Sequence, residues 1–156
     1  MTTIQEATAT LLNSIHTLTP LIREHADEAE RNRRLSQPVV TALAEAVALV
    51  RSARAWLHAA VQQTWESMLD TGQVSFEERA DVLLACLNAT RSAAAAVDMV
   101  YTEAGGTANY RRNVLQRMLR DIHAVTQHWA ASPRHYESAG RMLLGLPPLP
   151  SLQLLL

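Results

Sequence analysis

Between Pro38 and Leu69 the segment VVTALAEAVALVRSARAWLHAAVQQTWESML contains neither glycine nor a further proline, so nothing in it obliges the backbone to leave one continuous helix. Roughly 30 residues at 1.5 Å each make a rod about 45 Å long. That is long for a chain of 156 residues, and it commits the rest to helices packed alongside. Ser36 followed by Pro38 reads as the start of this helix, with Val39, Val40, Leu43 and Ala44 on its buried side. Asp70, Thr71 and Gly72 stop it.

The next start signal is stronger. Ser75 and Glu78 have the S-x-x-E spacing of a capping box, so a second long helix is predicted from Phe76 to Ala104. Leu83, Leu84, Leu87, Ala94, Val97 and Tyr101 form its inward side, and the run Ala93 to Ala96 has so little side-chain volume that a neighbouring helix could come close. Gly105 and Gly106 end it, since glycine enters the left-handed region at no steric cost. A third helix is predicted to run to Trp129, with Leu115, Met118, Leu119, Ile122, Val125 and Trp129 as its apolar stripe. Arg117, Asp121 and His128 make one flank of it, and Gln116, Arg120, His123 and Gln127 the other. Ser132 and Pro133 then begin a short last helix through Tyr136, Met142 and Leu143 to Gly145, and LPPLPSLQLLL reads as an extended tail. Upstream, residues 3 to 32 carry an apolar stripe at Ile4, Leu11, Ile15, Leu18 and Ile22 that Pro20 divides, and residues 23 to 34 alternate in charge sign as a solvated face does. No alternating β pattern occurs anywhere. The fold class is therefore all-α, an antiparallel helical bundle with short loops.

Composition narrows the chemistry. Apolar residues make up 48% of the chain but aromatic ones only 4%, which suits closely packed helices, and the net charge of −1 gives no reason to expect nucleic acid or an anionic membrane as partner. All 14 basic residues are arginine, so lysine Schiff-base chemistry is excluded. Cys86 is the one cysteine; it forms no disulfide within the chain and reads as a buried filler among Leu83, Leu84 and Leu87. The six histidines show no E-x-x-H pairing, and on a helix the spacing from His123 to His128 would splay them by about 140°. No metal site is expected. The first residues lack the pattern of a signal peptide and no apolar run approaches the ~20 residues that span a bilayer. A cytoplasmic, reducing setting is the expectation.

Three segments then carry a resemblance: VDMVYTEAGGTANY, LQRMLRDIHAVTQHW and YESAGRMLLGLPP. With them, residues 47–146 resemble the C-terminal helical domain of the acyl-CoA dehydrogenase superfamily, in its flavin-dependent monooxygenase branch. Residues 1–46 resemble the superfamily's first helices through TPLIREHADEAERNRRLSQPVVTALAEA, with an apparent junction near Ala46 to Ala48 where such enzymes continue into further helices and a β-domain. The resemblance implies FAD or FMN as cofactor, held against this bundle by a β-domain and by a neighbouring subunit of a homo-oligomer. It implies that Gly105 and Gly106 lie near a flavin phosphate, that Arg120 and Asp121 match the Arg-Asp pair of the family's helix, and that His128 matches the active-site histidine. His123 joins the candidate cofactor-binding set, with a structural or solvent-facing role as the alternative. At neutral pH an imidazole can accept a phenol or hydroperoxide proton, which suits His128. No acidic residue stands between Asp121 and Glu137, so the glutamate base of the dehydrogenases has no match at this end of the helix. Two functions follow as expectations. One is an internally deleted flavin-dependent oxidoreductase without independent turnover; the other is a non-enzymatic helical module that dimerises through an exposed face.

Overall fold

The computed structural model describes residues 35–153, and from Thr41 onward the chain is one compact unit. The expected helical region at 3–32, the charged run 23–34, His16, His25 and the last three leucines lie outside the described residues. Helices α1 (Gln37–Thr71), α2 (Phe76–Glu103), α3 (Val114–Thr126), α4 (Arg134–Leu143) and the single turn α5 (Pro150–Gln153) are joined by short connections, with two 3₁₀ turns at Gly105–Asn109 and Trp129–Ala131. No strand occurs among the described residues, as the all-α expectation required.

The long rod is present. Helix α1 has 35 residues and runs unbroken through Ala46 to Arg54. It returns antiparallel along α2, tied by Trp56 Nε1 donating to Asp81 Oδ1 at 2.9 Å and by a hydrogen bond from Ser67 Oγ to Glu78. Its buried residues are Ala46, Ala53 and Ala60, seven apart, which is one face of a helix packed lengthwise. Of the expected buried side, Val39 is half-buried, seven residues before Ala46, while Val40, Leu43 and Ala44 are exposed, about 100° round the helix. Val40 and Leu43 are 45% and 48% exposed, and they head a second apolar face that continues through Val47, Val50, Val61, Trp65, Met68 and Leu69. Two apolar stripes on one helix leave periodicity alone unable to say which is covered.

Gly72, at φ +70°, makes the reversal that ends α1. The capping box then forms as read. Glu78 N donates to Ser75 Oγ at 3.2 Å, and Ser75 N donates to Glu78 Oε2 at 2.8 Å. The hydrogen bond from Ser67, joined by those from the Ser75 backbone and hydroxyl, holds the Glu78 carboxyl below its ordinary pKa. Because the folded value is the lower one, the contribution of this carboxylate is complete above the usual carboxylate range. It is lost as pH falls through the folded value. Replacing Ser75 by Ala should lower stability by about 1 kcal/mol at neutral pH and reduce that acid sensitivity, which urea titrations at pH 7 and pH 3.5 will show. An equal loss at both pH values would dissociate the cap from the Glu78 charge.

Helix α2 is the hub, with α3 and α4 both packed along it. Ala80 and Ala139 are completely buried where α2 meets α4, Met142 is 2% exposed, and Leu83 and Leu84 pack against the three. By length and composition α2 could cross a membrane, although charged residues interrupt it; in the bundle it is the central helix, with α3 and α4 along it.

After α4 the chain turns back at Gly145, φ +72°. The expected extended tail is held down instead. Arg141 Nε donates to Pro147 O at 2.9 Å and Leu149 N donates to Ser138 Oγ at 3.3 Å. These bonds lead into α5, where Leu152 is 3% exposed. Prolines at 147, 148 and 150 prevent a longer helix without preventing a docked one.

Candidate functional site

The site-bearing segment begins where α2 ends. Ala104 caps the helix in helical geometry and Gly105 follows at φ +59°, so Gly105 is the residue that needs to be glycine. Gly106 has ordinary backbone geometry, and a Cβ placed there would meet nothing within 4 Å. Both glycines are exposed, and the chain between them and α3 is locally braced. Tyr101 Oη donates to Asn109 Oδ1 at 2.6 Å, Ala108 is wholly buried, and Asn113 accepts from Leu115 N at 3.0 Å to cap α3. The Arg112 guanidinium lies over the Tyr110 ring, 5.5 Å from its centroid.

On α3, Arg120 and Asp121 pair with each other at 3.4 Å with side chains about two-thirds exposed, a loose contact of the kind worth about 0–1 kcal/mol. His123 Nε2 meets Asp98 Oδ1 at 2.8 Å and so joins α3 to α2. This gives His123 a structural partner, the alternative its sequence position left open.

His128 is not on the helix. Thr126 Oγ1 donates back to the His123 carbonyl at 2.8 Å and His128 N bonds Val125 O at 3.0 Å, so the last turn tightens and α3 ends at Thr126. His128 stands at the start of the 3₁₀ turn with extended geometry, and its Nδ1 accepts from Ala130 N at 3.3 Å. The flank shared with Arg117 and Asp121, and the angular splay from His123, therefore do not apply. Nor is the expected α3 stripe uniformly core: Leu115, Leu119 and Ile122 are half-buried, while Met118, Val125 and Trp129 are 47–50% exposed.

The turn holding His128 is fixed from below by a residue that the sequence did not single out. His135 is 5% exposed, its Nε2 lies 2.8 Å from the Trp129 carbonyl, and its ring meets the Trp129 indole edge-on at 5.3 Å. Only its burial distinguishes it, and no local pattern announces that.

Cys86 also departs from expectation. It is exposed rather than buried with Leu87, because it points away from the α4 side of α2 and toward α3. There it lines a cleft of about 430 Å³ with Thr90, Ala124, Val125, His128, Ala130 and Ala131. Partial burial still pushes the thiol pKa up, which favours the neutral form at neutral pH. Iodoacetamide should therefore alkylate Cys86 more slowly at pH 7.5 than a free thiol, with the chain's one cysteine making the mass readout unambiguous. The glycine turn and the histidine turn flank the two ends of α3, separated by a helix about 20 Å long. The chain does not bring Gly105 and His128 into one pocket. Among the described residues no cluster of three metal-ligating side chains occurs.

Residues 7–133 match the family model of the acyl-CoA dehydrogenase C-terminal domain, a span that includes the Ala46 to Ala48 junction. The chain belongs to this family. Family relatives include the indole-3-acetate monooxygenases of Acinetobacter baumannii, 30% identical over 107 residues, and of Pseudomonas putida, 32% identical over 108. Each alignment covers 69% of this chain and 28% of the relative. A pigment production hydroxylase of Rhodococcus erythropolis is 34% identical over 108 residues. Among solved structures, the acyl-CoA dehydrogenase fold recurs in the 3-HSA hydroxylase of Rhodococcus sp. RHA1, with a TM-score of 0.68 at 28% identity over 79% of this chain and 33% of that one. The HsaA monooxygenase of M. tuberculosis gives a TM-score of 0.68 at 30% identity, covering 80% and 33%. The chain thus spans about a third or less of the family members it matches.

Proposed function

We infer that this chain forms the C-terminal wall of a flavin-dependent monooxygenase site and has no turnover by itself. The observation that carries the reading is His128, an imidazole held in an apolar cleft by its own turn and by His135, in a chain whose relatives are monooxygenases and hydroxylases. In this reading the chain is an internally deleted form, and a β-domain supplied elsewhere completes the site.

The residues fit a flavin at one edge. Gly105 and Gly106 leave backbone uncovered, and Arg111 and Arg112, later in the same connection, are exposed cations able to meet a phosphate. Arg120 can leave Asp121 at little cost to meet an anion, whereas His123 would act together with Asp98. A bound FAD or FMN would supply the redox chemistry with dioxygen. This chain contributes proton handling: Nδ1 of His128 accepts from the Ala130 amide, so the neutral ring carries its proton on Nε2, the atom left to donate to a phenolate or hydroperoxide oxygen.

The test is a fluorescence-quench titration of FMN and FAD, oxidised and then reduced without oxygen. Saturable micromolar binding, weakened about tenfold or more by Gly106→Val, is expected; that substitution fits the fold, since nothing stands within 4 Å. A folded protein that binds neither flavin up to millimolar concentration would overturn the reading. A second reading, a helical module without catalysis, is favoured by the uncovered end of α1. Trp65 and Leu69 are 63% and 70% exposed there, an apolar patch suited to a second copy of the chain in a homo-oligomer. Sedimentation velocity across a hundredfold concentration range should show a reversible dimer that Trp65→Glu disperses. A cytoplasmic setting belongs to both readings.

A further inference from the structure

A second cleft lies along the bundle from the His128 turn. Its walls are Val47 and Val50 of α1, Val97 and Val100 of α2, and Leu115 and Met118 of α3, over a floor that includes Ala46 and Ala96. Its volume is about 460 Å³, within the range of small-molecule sites. The alanine run of α2 was expected to admit a close helix; Ala46 of α1 and Ala96 are both buried at the floor, and the small side chains leave space above them. One charged residue borders it. Arg51 lines the rim, and among the described residues no carboxylate pairs with it.

An unpaired guanidinium beside an otherwise apolar cleft complements one kind of small molecule, an apolar body carrying a single anionic group. The body gains by leaving water, and the guanidinium offers a charge-assisted pair of hydrogen bonds to a carboxylate or sulfonate. A neutral molecule of the same shape forfeits the second contribution, and a cation is repelled. We propose that this α1–α2–α3 cleft binds an amphipathic monoanion, with Arg51 holding the acid group and the valine, leucine and methionine walls holding the body. The proposal is independent of flavin and of His128.

The probes are three molecules of nearly one shape: 4-phenylbutyrate, 4-phenylbutan-1-ol and 4-phenylbutylamine, each titrated calorimetrically into the full chain. The acid should bind once per chain and about tenfold more tightly than the alcohol, and the amine should not bind. Arg51→Gln should reduce the acid to the level of the alcohol and leave the alcohol unchanged. Ala93→Phe, which fills the cleft, should abolish both with helicity by circular dichroism retained. With ¹³C-methyl methionine, the Met118 methyl resonance should move most among the five methionines. Equal binding of acid and alcohol, no effect of Arg51→Gln, an unmoved Met118, or a cleft filled by a second copy in sedimentation at the titration concentrations would each overturn the proposal. His128→Ala should leave acid binding intact, so failure here and failure of the flavin reading are distinguishable.

Discussion

Met142→Ala should destabilise the bundle by about 3 kcal/mol and lower its melting temperature by about 10 °C. The side chain is 2% exposed and packs into the junction of α2 and α4 with Ala80, Ala139, Leu83 and Leu84. Two of those neighbours are alanines on opposing helices, already in close approach, so the helices have little further to collapse and much of the deleted volume remains as a cavity. Met142→Leu, which keeps the volume, should cost less than about 1.5 kcal/mol. Urea denaturation followed at 222 nm gives both values; similar losses for Ala and Leu would mean that the site is loosely packed and that the α2–α4 junction is not the core.

Ala139→Leu tests the same junction from the opposite side. Ala139 and Ala80 are both 0% exposed, so additional carbon atoms have no solvent-facing direction to take. The expected result is a loss of about 2–3 kcal/mol from overpacking, with α4 displaced outward along its length. That displacement should also disturb the bond from Leu149 N to Ser138 Oγ beside it, so the tail amide should exchange with solvent faster than in the unsubstituted protein. A stable Ala139→Leu variant with an unchanged Leu149 amide would show that α4 has room to rotate.

What could be read from the sequence was local. The absence of breakers after Pro38, the Ser75–Glu78 box and the reversals at Gly72 and Gly105 each depend on a few adjacent residues, and each occurs where it was expected. What could not be read depended on neighbours distant in sequence. The covered face of α1 could not be chosen between two apolar stripes. Cys86 has leucines beside it in sequence, but its direction is set by where α3 lies. His128 matches a helical repeat until Thr126 bonds back to His123 and the helix tightens, so its placement at a turn escaped the pattern. Of the candidate site residues, the glycine turn was the most legible, because a positive φ has a residue-level signature and a histidine's surroundings do not.

The central position of α2 also bears on how fast the bundle assembles. Its contacts with α1 are local, 11 residues apart at Ser67–Glu78 and 25 at Trp56–Asp81, whereas its core contact with α4 joins Ala80 to Ala139, 59 residues on. Loop-closure entropy is correspondingly smaller for the α1–α2 pair, and helical domains with such local contacts fold in microseconds to milliseconds. The nucleus would form where α2 turns back on the end of α1, near Ser67 and Glu78, before α4 closes over Ala80. A chain that assembles from its centre in this way can reach its native topology ahead of any further domain, so a partner polypeptide would meet a finished surface rather than a folding one.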